Sequence, residues 1–127
     1  LKRRIKKDMT DKTLAELTEL VQLFCEERDW DKFHNPKDLA IGLSTEANEL
    51  LDIFRFKSED DMREIMENPE KREHVTEELA DVFFFLLRFA QMNQIDLCNA
   101  LTDKLGKNDR KYPVEKIRGK NLKYTEI

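Results

Sequence analysis

The chain has 127 residues and a formal net charge of −4, from 27 acidic and 23 basic side chains. Hydrophobic and charged residues each make up 39 %, with only three Gly and three Pro, a composition that argues against a turn-rich β fold and predicts amphipathic helices in a single all-α domain over residues 1–127. The acidic balance argues against a nucleic-acid polymer as partner, and the longest apolar run, Val82 to Ala90, is too short for a membrane span and carries Arg88. Cys25 and Cys98 stand alone, without the spacing of a disulfide framework, which fits a reducing cytoplasm. No secretory apolar segment follows the basic start, and Leu1 implies a processed or trimmed chain.

In chain order, a first helix is predicted from about Lys12 to Arg28, with Thr10 or Asp11 as its cap and Leu14, Leu17, Val21 and Phe24 on one face. Asp29 to Asn35 reads as a connection carrying Trp30, Phe33 and His34. Pro36, Pro69 and Pro113 mark boundaries, because proline is tolerated in a first helical turn and disfavoured inside a helix. A second helix follows over roughly Lys37 to Phe56, and Ser58-Glu59-Asp60-Asp61 reads as a capping box opening a short third helix that ends near Asn68. A long helix from about Glu70 to Met92 carries Val82-Phe83-Phe84-Phe85-Leu86-Leu87. Those residues point around most of its circumference, so one chain can hardly cover them and self-association is expected. A last helix over Leu97 to Asn108 leads into a basic tail. Basic segments at 1–10 and 113–127 thus flank an acidic middle.

Two acidic pairs share one spacing: Glu46-x-x-Glu49 in the second helix and Glu78-x-x-Asp81 in the fourth. At about 100° per residue, the apolar stripe through Leu39, Leu43, Leu50 and Phe54 spans roughly 60°, and Glu46 falls within about 20° of its edge. Glu78 projects within about 20° of Phe85 and Phe89. Glu-x-x-Glu arises by chance in acidic helices and then decorates a solvated face, but these carboxylates lie toward core stripes, where burial is costly unless they are paired or bind a cation. Residues three apart share a helix face, so two facing helices can offer four carboxylates to one ion. Hard oxygen ligands without a His or Cys cluster suit magnesium, or manganese in its place, and such sites recruit phosphates. Glu77 is the one serious rival to Glu78 and could serve as an outer base. His74, four residues before Glu78, reads as a surface or structural residue.

These residues resemble the MazG-like all-α nucleoside triphosphate pyrophosphohydrolases, closest to the dCTP pyrophosphatase branch, over about Leu20 to Pro113. The acidic blocks Glu46-x-x-Glu49 and Glu77-Glu78-x-x-Asp81 match the family's metal signature. Glu27-Arg28-Asp29-Trp30-Asp31-Lys32-Phe33-His34-Asn35-Pro36 and Lys104-x-x-x-Asn108-x-Arg110-Lys111-Tyr112-Pro113 flank them. The resemblance implies a four- to five-helix bundle assembled as a dimer or dimer of dimers, with magnesium on Glu46, Glu49, Glu78 and Asp81. It implies hydrolysis of a nucleoside triphosphate, possibly dCTP or a modified dCTP, to monophosphate and pyrophosphate in nucleotide-pool cleansing. Lys104, Asn108, Arg110, Lys111 and Tyr112 would then contact phosphate or sugar, and Trp30, His34 and Phe56 would line the base pocket. Phe56 departs from the Trp frequent in dCTP-specific members, Val21 from a His of one branch, and Asp109 interrupts a basic run. The rival readings are a non-catalytic metal- and nucleotide-binding sensor or scaffold, and a structural dimer with the acidic pairs in salt bridges.

Overall fold

Local signals at the helix starts set the architecture. The computed structural model of the chain describes residues 11–127, so the basic segment 1–10 and the choice of Thr10 as a cap lie outside the described residues. Helix α1 runs Leu14–Glu27, α2 Pro36–Phe54, α3 Glu59–Glu67, α4 Pro69–Met92, α5 Leu97–Lys111 and α6 Val114–Ile117, with short 3-10 turns at Asp31–Phe33 and Tyr124–Glu126. Among the described residues there is no strand.

The N-terminal cap of α1 is Thr13, not Asp11. Thr13 Oγ1 accepts from the Glu16 backbone N–H at 3.1 Å while the Glu16 carboxylate accepts from the Thr13 N–H at 3.3 Å, a reciprocal capping box. Asn35 and Asn68 cap α2 and α4 immediately before Pro36 and Pro69. In α3 the box expected at Ser58 is present, with the Asp61 N–H donating to Ser58 Oγ and the Ser58 N–H to Asp61, both at 3.1 Å. The helix α5 continues past Asn108 to Lys111, one turn beyond the sequence expectation. Three helices exit through a non-glycine residue in the left-handed region, Asp29 (φ 56°), Phe56 (φ 62°) and Gln94 (φ 53°). For a ring as large as Phe56 this conformation is costly, so the surroundings must hold it.

The chain divides into two compact units, one ending at Gln94 and one spanning Ile95–Ile127. In the first, α2 packs most extensively on α4, which α1 and α3 also touch. Gly42 of α2 lies against the Phe85 ring of α4, so close that a Cβ there would stand 2.4 Å from Phe85 Cε1. The missing side chain is what lets the ring seat between the helices. Leu39, Ile65, Val75, Leu87 and Ala90 are buried in this unit, together with Cys25 and Arg88. Phe24 of α1 meets Phe84 edge to face at 5.9 Å. In the second unit, Asp96 caps α5 and Tyr112 closes it.

Candidate metal centre and substrate groove

From Gly42 opposite Phe85, α2 runs forward to Glu46 and Glu49 while α4 runs back to Asp81 and Glu78. An antiparallel pair in this register sets the two acidic spacings against each other. One carboxylate oxygen each from Glu46, Glu49 and Glu78 lies within 4.8 Å of the others. Asp81 is not one of this trio, but its charge reaches both Glu46 and Glu78. The sequence pattern thus brought three of its four predicted ligands to one point and the fourth beside them.

The electrostatics of the trio are adverse without a cation. Burial first, then the hydrogen bond and charge of Glu49 and the charges of Asp81 and Glu78, push the Glu46 carboxyl up to about 7. Glu78 is raised by the same causes, burial leading and Glu49 next, with His74 opposing. Glu46 Oε2 and Glu78 Oε2 are both buried with no hydrogen-bond partner. Buried carboxylate oxygens without donors, three hard ligands at one point and a fourth negative charge nearby fit a divalent cation. Glu77 is exposed and stands outside the trio.

Beside the trio opens a groove of about 1090 Å³ between α2, α3 and the start of α4. Glu49 and Glu78 lie on its wall, with Arg55, Lys57, Lys71 and His74 among the other lining residues. Arg55, Lys57 and Lys71 escaped the sequence reading because the turns on either side of α3 bring them beside the acidic pairs, a tertiary fact with no local signal. His74 did carry a signal, its position four residues before Glu78 on the same face. It lies at the surface, as expected, with its Nε2 3.3 Å from Glu78 Oε1.

The residues expected on the base side fall at two places. Trp30 and His34 flank the 3-10 turn before α2, their rings 6.0 Å apart. Phe56 follows the other end of α2, 89 % exposed, with the Arg55 guanidinium 4.6 Å over its ring. Nineteen helical residues separate the two places, a span of roughly 28 Å. The phosphate-contact candidates Lys104, Asn108, Arg110, Lys111 and Tyr112 all belong to α5 and its C-terminal cap in the second unit. Arg110 and Lys111 there line a smaller cleft of about 480 Å³, where Lys111 Nζ sits 5.0 Å from the Tyr124 ring centre.

Comparison with known proteins places the chain in a family. Residues 41–127 match the model of the MazG-like family. The chain is 36 % identical to dCTP pyrophosphatase 1 of Rattus norvegicus over 115 residues, 91 % of this chain and 68 % of that protein. It is 34 % identical to the Bos taurus protein of the same name over 118 residues, 93 % of this chain and 70 % of the relative. Among solved structures, a pyrophosphatase from Archaeoglobus fulgidus superposes with a TM-score of 0.74 at 36 % identity, covering 84 % of this chain and 97 % of that one. A helical fold with clustered carboxylates and these likenesses defines the class as nucleoside triphosphate pyrophosphohydrolases. The chain belongs to the MazG-like family, in the branch of the dCTP pyrophosphatases.

Proposed function

We propose that the protein hydrolyses a deoxynucleoside triphosphate, dCTP or a modified dCTP, to the monophosphate and pyrophosphate in a magnesium-dependent reaction that cleanses the nucleotide pool. The observation that carries this reading is the pair of buried, unpartnered oxygens on Glu46 and Glu78 beside Glu49. Glu46, Glu49, Glu78 and Asp81 would hold the ion, with manganese able to replace it. When bound, such a cation neutralises charge on the triphosphate and lowers the pKa of water.

The protein's own groups do the rest. Arg55, Lys57 and Lys71 on the groove wall supply positive charge along the path of a polyphosphate. Lys104, Asn108, Arg110, Lys111 and Tyr112 contact phosphate or sugar, and the cationic charge assists departure of pyrophosphate as water adds at phosphorus and the α–β anhydride bond breaks. Of the two candidate bases, Glu49, which lines the groove and belongs to the trio, is better placed than Glu77 to take the water's proton.

Trp30, His34 and Phe56 line the base pocket. Because they stand at opposite ends of α2, roughly 28 Å apart, all three meet one base only if two copies contribute. That geometry supports a homodimer or homotetramer. Among the described residues no helix is long and apolar enough to cross a membrane, and the free thiols of Cys25 and Cys98 support a reducing, cytoplasmic setting. Glu46→Ala or Asp81→Ala should lower turnover by roughly a thousandfold or more while the helical circular dichroism signal stays intact. Full activity in either variant would sink the ligand assignment.

A further inference from the structure

Arg88 is out of place by ordinary packing rules. It is fully buried, 0 % exposed, in a stretch of α4 that otherwise presents Phe84, Leu87 and Ala90. Burying a guanidinium is expensive, and a Leu or Met would fill this volume at less cost. What the Arg has that they lack is a fixed fork of donors. Its Nε donates to His34 Nδ1 at 2.9 Å, one terminal nitrogen donates to the Asp31 carboxylate and the other to Gln91 Oε1. His34 and Asp31 are 54 and 57 residues away in sequence and belong to the turn that carries Trp30.

That turn has little of its own to hold it. The 3-10 helix is three residues long and has no side-chain cap at Trp30. Asp31 is about half exposed. The Trp30 N–H donates to the Cys25 carbonyl at 3.1 Å, and the Trp30 ring stands edge-on between Phe24 at 5.7 Å and His34 at 6.0 Å. A guanidinium keeps all its protons, so the histidine nitrogen that faces it must be the unprotonated one. Burial, with the Arg88 charge second, also lowers the His34 pKa, in the direction of the neutral ring.

We propose that Arg88 is a positioning residue that locks His34 in the Nε2–H tautomer and pins the Trp30 turn to α4, presetting one donor and one aromatic edge for the nucleobase. This rests on the reading that Trp30 and His34 face the base. Arg88 itself touches neither base nor phosphate, and it acts through His34 and Asp31. Its loss therefore weakens recognition of the base and spares the chemical step.

The test compares dCTP with 2-deoxyribose 5-triphosphate, which lacks a base, and reads the His34 tautomer by ¹⁵N NMR of the full chain. Arg88→Met should raise KM for dCTP roughly tenfold with kcat nearly unchanged. It should leave kcat/KM for the abasic compound unaltered and turn a single Nε2–H tautomer into an exchanging mixture. Should Arg88→Met fail to fold, Asp31→Asn at the half-exposed end of the network gives the same split, smaller in size. Equal losses on both substrates in Asp31→Asn, or an Nδ1–H tautomer in the unaltered protein, would overturn the positioning role. Two further outcomes separate the underlying readings. If the unaltered protein cleaves both compounds alike or neither, or if His34→Gln leaves the dCTP KM unmoved, the base-side reading itself fails and takes the inference with it. If His34→Gln raises that KM while the Arg88 and Asp31 variants do not, only the positioning role falls.

Discussion

At the scale of single residues, the state of Glu46 governs the site. Its carboxyl is pushed up to about 7 from an ordinary 4.5, by burial first and then by Glu49. Between those values the native protein holds a proton that the unfolded chain releases. The contribution therefore favours the fold at low pH and is lost as pH rises through about 7. Without metal, the Tm of the unaltered protein minus that of Glu46→Gln should fall from pH 5 to pH 8, and magnesium should remove the fall by binding the ionised cluster. A difference that stays flat with pH would contradict the assignment. This much was legible in sequence, because Glu46 and Glu78 each sit at the edge of an apolar stripe, a position computed from helical period alone. Arg88 was visible only as an interruption in an apolar run. Its partners lie more than fifty residues away, and no local pattern announces a tertiary hydrogen bond.

At the scale of elements, the carboxylates meet because α2 and α4 approach closely at Gly42. Helix propensity alone would make Gly42→Ala stabilising by about 1 kcal/mol. The new Cβ would stand 2.4 Å from Phe85 Cε1 and 2.7 Å from two neighbouring ring atoms, so the ring or the helices must move. We expect a net loss of about 1–3 kcal/mol in urea unfolding, with a fall in activity because Glu46 is one turn further along α2. Gly42→Ala combined with Phe85→Leu should recover much of the stability, and a stable, fully active single variant would count against the close-approach account. At the start of α3, Ser58→Ala should cost about 1 kcal/mol by removing one half of the capping box. Hydrogen exchange in α3 would show the loss, and unchanged protection would speak against it. The Ser58 box was readable because its residues are adjacent in sequence. The Gly42 contact was not, since a helical glycine does not reveal which side chain on another helix will occupy its place. The cap of α1 fell to Thr13 because the decisive partner, Glu16, pairs three residues on.

At the scale of the whole molecule, the account requires more than one copy of the chain. Leu79, Phe83 and Leu86 follow one another at helical spacing on α4 and are 52 %, 40 % and 40 % exposed, while Ile41 and Leu51 of α2 are more than half exposed. The sequence anticipated this uncovered surface from six consecutive apolar residues in one helix. Sedimentation should show a dimer or larger, and Phe83→Lys should shift it toward monomer with loss of activity. Since Trp30 and Phe56 stand at opposite ends of α2, Trp30→Ala and Phe56→Ala proteins unfolded and refolded together should regain part of the activity each lacks alone. Absence of any recovery, with mixed oligomers formed, would contradict a pocket built from two copies. The central claim is tested most directly by measuring pyrophosphate release from a panel of canonical and modified nucleoside triphosphates, with and without magnesium. The account predicts magnesium-dependent release with one clear favourite among the deoxycytidine triphosphates. No release from any nucleotide, by folded protein that binds the metal, would contradict it and leave a helical sensor or scaffold in its place.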